Sequence, residues 1–214
     1  MKHCKLICLL AFLFLIASAA VAQDTVPQVE LAGGYSYVNF HPSYAGITSQ
    51  NFNGGGGAFV YNFTKLIGIK ADFEGYAVGT GWTKYLKDNY GYAGSASGNA
   101  FTYMFGPQIK SHSGKWQPFG EALFGAFHSN GYATLIHCIE NDGCSSNNGN
   151  GNNNGFAMEF GGGVDYALSE HVQIRPVEVD YLYSHFSANH IPNYSAGQNS
   201  FKYFGGINFT LGGK

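Results

Sequence analysis

The chain has 214 residues, 16% aromatic and 11% charged, with 31 glycines and a formal net charge of −2 at pH 7. Soluble domains carry about 25% charged residues, and nucleic-acid binders concentrate Lys and Arg; with Arg175 as its lone arginine, this chain has no basic face to offer nucleic acid. No segment beyond the first twenty-odd residues approaches a helical membrane span, and a mean hydropathy of −0.10 is what strands with alternating apolar and polar residues give.

In chain order, the first element is a leader. Met1-Lys2-His3-Cys4-Lys5 is short and basic, residues 6–17 are apolar, and Ala20-Val21-Ala22 fits the small-x-small cleavage rule. The apolar run falls short of the about 20 residues that a helical membrane span needs. The expectation is a signal peptide over residues 1–22 and one mature domain over 23–214. Cys4, Cys8, Lys2 and Lys5 leave with the leader, so the exported chain is more acidic than the whole.

Eight strands follow, read at residues 29–40, 52–63, 67–78, 99–110, 116–127, 156–168, 172–183 and 200–211. Each is near the 9–11 residues with which a tilted strand crosses a bilayer. Connections at 64–66, 111–115 and 169–171 are brief, whereas those at 41–51, 79–98, 128–155 and 184–199 are long. Brief turns at one end and long loops at the other are the habit of barrels that span an outer membrane.

Side chains along a strand point to opposite faces with period two. In Ile67-Gly68-Ile69-Lys70-Ala71-Asp72-Phe73-Glu74 the charges share one face and the apolar residues the other. In Phe101-Thr102-Tyr103-Met104-Phe105, rings take every second place. By the same parity Glu30, Lys70, Asp72, Glu74, Lys110, Glu121, Glu159, Asp165, Arg175, Glu178, Asp180 and Lys202 all belong to one interior face. An Arg or Lys turned to lipid at mid-bilayer would cost about 2–4 kcal/mol. Arg175 has opposite parity to Glu178 and Asp180, and a β-bulge at Pro176 reconciles them, since proline cannot donate to a strand ladder. Tyr35, Tyr37, Phe59, Tyr61, Phe63, Tyr166, Tyr181, Tyr183 and Phe209 are expected outside, near strand ends, as an interfacial girdle. The glycine clusters at 33–34, 54–57, 161–163 and 205–206 are expected to make room inside for long charged side chains. The fold class is therefore all-β: an eight-stranded, antiparallel, up-and-down transmembrane barrel.

Val179-Asp180-Tyr181-Leu182-Tyr183 and the closing strand Phe201-Lys202-Tyr203-Phe204-Gly205-Gly206-Ile207-Asn208-Phe209 resemble the eight-stranded outer-membrane barrels typified by the OmpA transmembrane domain and OmpX. The resemblance implies insertion by the barrel-assembly machinery and contact with outer-membrane lipid and lipopolysaccharide. It departs from the family at its end, where Leu211 is followed by Gly212-Gly213-Lys214 in place of a terminal aromatic.

Two readings of the interior follow. In one, ion pairs fill the lumen, as small barrels fill their own centre. In the other, the surplus of acids over bases makes a narrow, mildly cation-preferring path. Cys138 and Cys144 are expected to form a disulfide in an exported chain; with His137 they make an incomplete zinc set, so no metal site is expected. The tract 145–155 reads as a solvated loop. Phe127-His128-Ser129-Asn130, with Glu140 beyond, resembles the His-x-Ser-Asn motif of lipid A deacylases. Yet adjacent residues of a strand face opposite ways and cannot exchange a proton. The other histidines fall in turns, loops or strand ends and are expected on the surface. The expectation is a monomeric, non-enzymatic outer-membrane barrel with no cofactor and no nucleic acid. It would have an envelope-structural or surface-contact role, with an extracellular ligand for the long loops. A diffusion channel is the alternative, a lipid A hydrolase a minor one. A soluble lipocalin-like carrier would need the rings inside and the charges outside.

Overall fold

A computed structural model describes residues 26–43, 47, 49–140, 154–186 and 197–212. The expected leader, Cys144, His190 and most of the 145–155 tract lie outside the described residues. The strands are β1 Val29–Phe40, β2 Gln50–Asn62, β3 Ile67–Val78, β4 Gly98–Lys110, β5 Trp116–Ser129, β6 Asn154–Ala167, β7 Val172–His185 and β8 Gly197–Leu211. Each pairs antiparallel with the next, and β1 pairs with β8 to close the cylinder. No described helix is long and apolar enough to cross a membrane.

Brief turns form where the sequence supplies its own closing bonds. The Thr64 hydroxyl accepts from the Ile67 amide at 2.9 Å, and the Phe63 amide donates to the Ile67 carbonyl. The Ser111 amide donates to Pro118 and that of Leu168 to Val172. At the other end several strands run a residue or more beyond the sequence expectation, and β6 begins at Asn154, so that Asn154 and Gly155 are strand rather than loop.

Two of the long connections are not simple loops, as the sequence reading had them. Residues 79–98 contain helix α1, Gly81–Tyr90, and residues 128–155 contain helix α2, Asn130–Glu140. Helix α1 buries Trp82 and Leu86, four residues apart on one face. It stops at Gly91, which takes a left-handed φ of 64° and donates to the Lys87 carbonyl, while Tyr92 donates to Leu86. Helix α2 starts on Ser129, whose hydroxyl accepts from the Tyr132 amide at 3.3 Å and satisfies a donor that the helix cannot.

The expected bulge is present. Val164 pairs with Val177 and Tyr166 with Ile174, so Asp165 faces Arg175 and Pro176 together. The register against β8 also shifts between Arg175 and Glu178. Pro176 and Val177 are both exposed, whereas Arg175 and Glu178 are both buried. The glycines serve a second purpose beside the expected one, which Gly161 fulfils next to Asp180 and Gly56 next to Glu74. A Cβ on Gly34 would lie 2.2 Å from the Gly205 carbonyl oxygen, and one on Gly54 would lie 1.9 Å from that of Gly75. Close approach of neighbouring backbones forbids a side chain there.

Candidate functional site

The outer wall is apolar. Phe73, Phe105, Phe160, Phe201 and Phe209 stand outward, as do all the rings assigned to the girdle. Neighbouring rings touch across strands, Phe124 with Phe160 at 5.8 Å and Tyr181 with Phe201 at 6.0 Å. Half-open rings cost little against acyl chains and much against water, so this surface is made for lipid.

The interior has two storeys. At the turn end, Lys110 Nζ donates to Asp165 at 2.7 Å, to Gln173 at 2.9 Å and to Glu30. Asn208 donates to Glu30, Asp165 and Gln173. His112 was expected at the surface, but its side chain is only 5% exposed. Its Nε2 lies 2.9 Å from Glu30, and its Nδ1 2.9 Å from the Lys65 carbonyl. The 111–115 turn folds the ring over the barrel mouth, a tertiary effect that parity could not show. A cavity of about 530 Å3 opens at this mouth, lined by His112, Gln117, Glu170, His171, Gln173 and Thr210 among others.

Arg175 links this floor to the centre. Its Nε and Nη2 grip both oxygens of Asp165 at 2.7 and 3.0 Å, and its Nη1 donates to Glu178 at 2.6 Å. The guanidinium lies 4.3 Å from the centre of the Phe119 ring, a cation–π contact. Above it, Lys70 Nζ sits 2.9 Å from Asp72, 2.8 Å from Glu121 and 3.0 Å from Glu178. Lys202 Nζ lies 2.7 Å from Glu159, 3.3 Å from Asp180 and 3.7 Å from both Asp72 and Glu74. Glu74 also accepts from Ser36 and Tyr76. The structure thus brings together Glu30, Lys70, Asp72, Glu74, Lys110, Glu121, Glu159, Asp165, Arg175, Glu178, Asp180 and Lys202 on the barrel axis, each less than a tenth exposed.

The upper storey is apolar and was not expected. Phe40, Phe52, Trp82, Phe127 and Tyr132 are buried together. Phe40 stacks on Phe52 at 5.2 Å and meets Trp82, Phe127 and Tyr132 edge-on at 5.1–5.7 Å. Phe186 closes on Tyr132 at 5.1 Å, and Gln198 donates to the Tyr132 hydroxyl at 3.1 Å. The two helices lower Trp82, Leu86, Tyr132, Leu135 and Ile136 into the open end of the cylinder. The rings expected outside are outside, but these further rings, which no expectation placed, fill the loop end of the axis. A signal for it was present. Phe40, Tyr76, Phe127 and Leu182 share parity with Glu30, Glu74, Glu121 and Asp180.

Among the described residues of the deacylase-like motif, no nucleophile and base meet. His128 Nδ1 lies 2.9 Å from Asn154 on the outer face, while Ser129 is buried and caps α2. The Glu140 side chain lies outside the described residues. Cys138 is buried and disulfide-bonded; Cys144, its expected partner, lies outside the described residues.

A cylinder that is greasy outside, charged within and free of sheet edges is a transmembrane β-barrel. Residues 8–214 match the outer membrane protein beta-barrel domain. The chain belongs to that family, and its place is the outer membrane. No curated protein sequence matches it. Among solved structures it is similar to Neisserial surface protein A at 9% identity and a TM-score of 0.54, covering 86% of this chain and 97% of that one. It is also similar to Ail of Yersinia pestis, at 13% identity, TM-score 0.48 and coverages of 86% and 98%. Outer Membrane Protein W of E. coli aligns at 13% identity, TM-score 0.43 and coverages of 87% and 99%. At such identities the likeness is one of fold.

Proposed function

We propose that this protein is a closed, non-enzymatic barrel that strengthens the outer membrane and presents its helix-capped loop end to the exterior. One observation carries the reading: the axis is filled by an ion-pair network below and an aromatic plug above. The two storeys are filled by different physics, and both would have to be rearranged for solute to pass. The expected leader, removed after Ala22, would deliver the chain for insertion by the barrel-assembly machinery. Lipid and lipopolysaccharide would then face the outward rings. The exposed Lys84, Lys87, Asp88 and Asn89 of α1 are what an extracellular ligand would meet on a monomer.

The cation-preferring channel remains the competing reading, favoured by the acid surplus on the axis. Planar-bilayer recording separates the two. Silence is expected from a folded, inserted preparation, whereas discrete cation-selective steps would overturn the structural role. The intact mass of the same preparation reads the cleavage after Ala22.

A further inference from the structure

Four bases, Lys70, Lys110, Arg175 and Lys202, face eight acids on the axis. The imbalance is local. At the floor, Lys110 and Arg175 meet Glu30 and Asp165, charge for charge. The surplus falls on the centre, where charge without a counter-charge is costly to bury.

Two carboxylate triads stand there, each with oxygens within 4.8 Å of one another: Asp72, Glu121 and Glu178 in one, Glu121, Glu159 and Asp180 in the other. The first is already served, because Lys70 Nζ lies 2.8–3.0 Å from all three members. No one ammonium reaches all three members of the second, in which Glu121 is held by Lys70. Lys202 reaches Glu159 Oε2 and Asp180 Oδ2 from one side. Glu159 Oε1 and Asp180 Oδ1 have no hydrogen-bond partner, although both residues are 0% exposed. Room for the Asp180 carboxylate is built into the neighbouring strand: a Cβ on Gly161 would lie 2.2 Å from Asp180 Oδ1.

We propose that Glu121, Glu159 and Asp180 bind a hard divalent cation, calcium by preference, inside the barrel. Oxygen-only donors select hard ions over zinc or copper. Oxygens up to 4.8 Å apart lie within twice a calcium–oxygen bond of about 2.3–2.6 Å. Calcium also accepts the irregular geometry that three side chains from three strands impose, where magnesium insists on an octahedron. The ion would do for the second triad what Lys70 does for the first. The site is independent of whether the lumen conducts.

The test uses the barrel refolded from urea into detergent, free of lipopolysaccharide, with either calcium chloride or a chelator in the refolding buffer. Barrels are then desalted and their calcium measured by atomic emission. One ion per folded barrel is expected, and a urea midpoint higher with calcium than with chelator. Asp180→Asn and Glu159→Gln should weaken calcium binding about tenfold or more by removing a charged ligand, while Asp88→Asn on the exposed face of α1 should leave it unchanged. The proposal is overturned by calcium-free barrels with the same midpoint in both buffers, which would mean that protons neutralise the centre. It is equally overturned by folded Asp180→Asn and Glu159→Gln barrels that hold calcium as tightly as the parent. If neither variant folds, the midpoint and the calcium content of the unmodified barrel decide.

Discussion

Arg175 sits where the floor and the centre of the axis meet, with Asp165 on one side, Glu178 on the other and the Phe119 ring against its flat face. Its planar fork suits two carboxylates at once, which an ammonium does not. Arg175→Met takes a bonded cation from both buried acids, leaving Asp165 to Lys110 and Glu178 to Lys70. The expected loss is about 3–5 kcal/mol, read as a lowered urea midpoint of the barrel in detergent, with Arg175→Lys falling between the two. At this scale the sequence was informative about faces and mute about partners. Parity along each strand assigned Lys70, Asp72 and Glu74 to the axis, and the mismatch at Arg175 pointed to the bulge at Pro176. That Lys70 would touch Glu178, 108 positions away, depends on the curvature of the closed cylinder, which no local pattern encodes. His112 escaped for the same reason, because a turn residue has no parity.

Elements were legible in proportion to their periodicity. Strands β1 and β3 have the expected bounds because alternation runs their whole length and turn residues stop it. Helices α1 and α2 were hidden by composition. Gly81 and the Asn130-Gly131 pair read as loop, and helices of 10 and 11 residues are marginal without tertiary contacts. Their signals were nonetheless present in the Trp82–Leu86 spacing and in the apolar rhythm of Tyr132, Leu135, Ile136 and Cys138. The barrel supplies the missing stability by taking those side chains into its mouth. Trp82→Ala removes a ring in contact with Phe40, Phe52 and Tyr132. The expected cost is about 3–5 kcal/mol. Hydrogen exchange should localise it: amides of α1 and α2 should open faster, while the centre of β3 stays protected.

For the whole molecule, closure of β1 on β8 leaves no free edge, so the folded form should resist detergent and migrate differently before and after boiling. Boiled and unboiled samples of the membrane fraction are expected to give two bands on a gel, and a single unchanged band would speak against a closed barrel. Several contacts on the axis join strands remote in sequence: Lys110 to Glu30, Lys70 to Glu178, and Asn208 to Glu30, which is 178 positions away. None of these bonds can form while the sheet is open, and an isolated hairpin would keep only neighbour-strand pairs such as Asp180 with Lys202 or Asp165 with Arg175. Water must therefore stay beside these groups through most of assembly and be squeezed out when the last seam zips. Drying of the centre is then the step that commits the chain, and a cylinder halted before it would be wet, soft and easily cut by proteases.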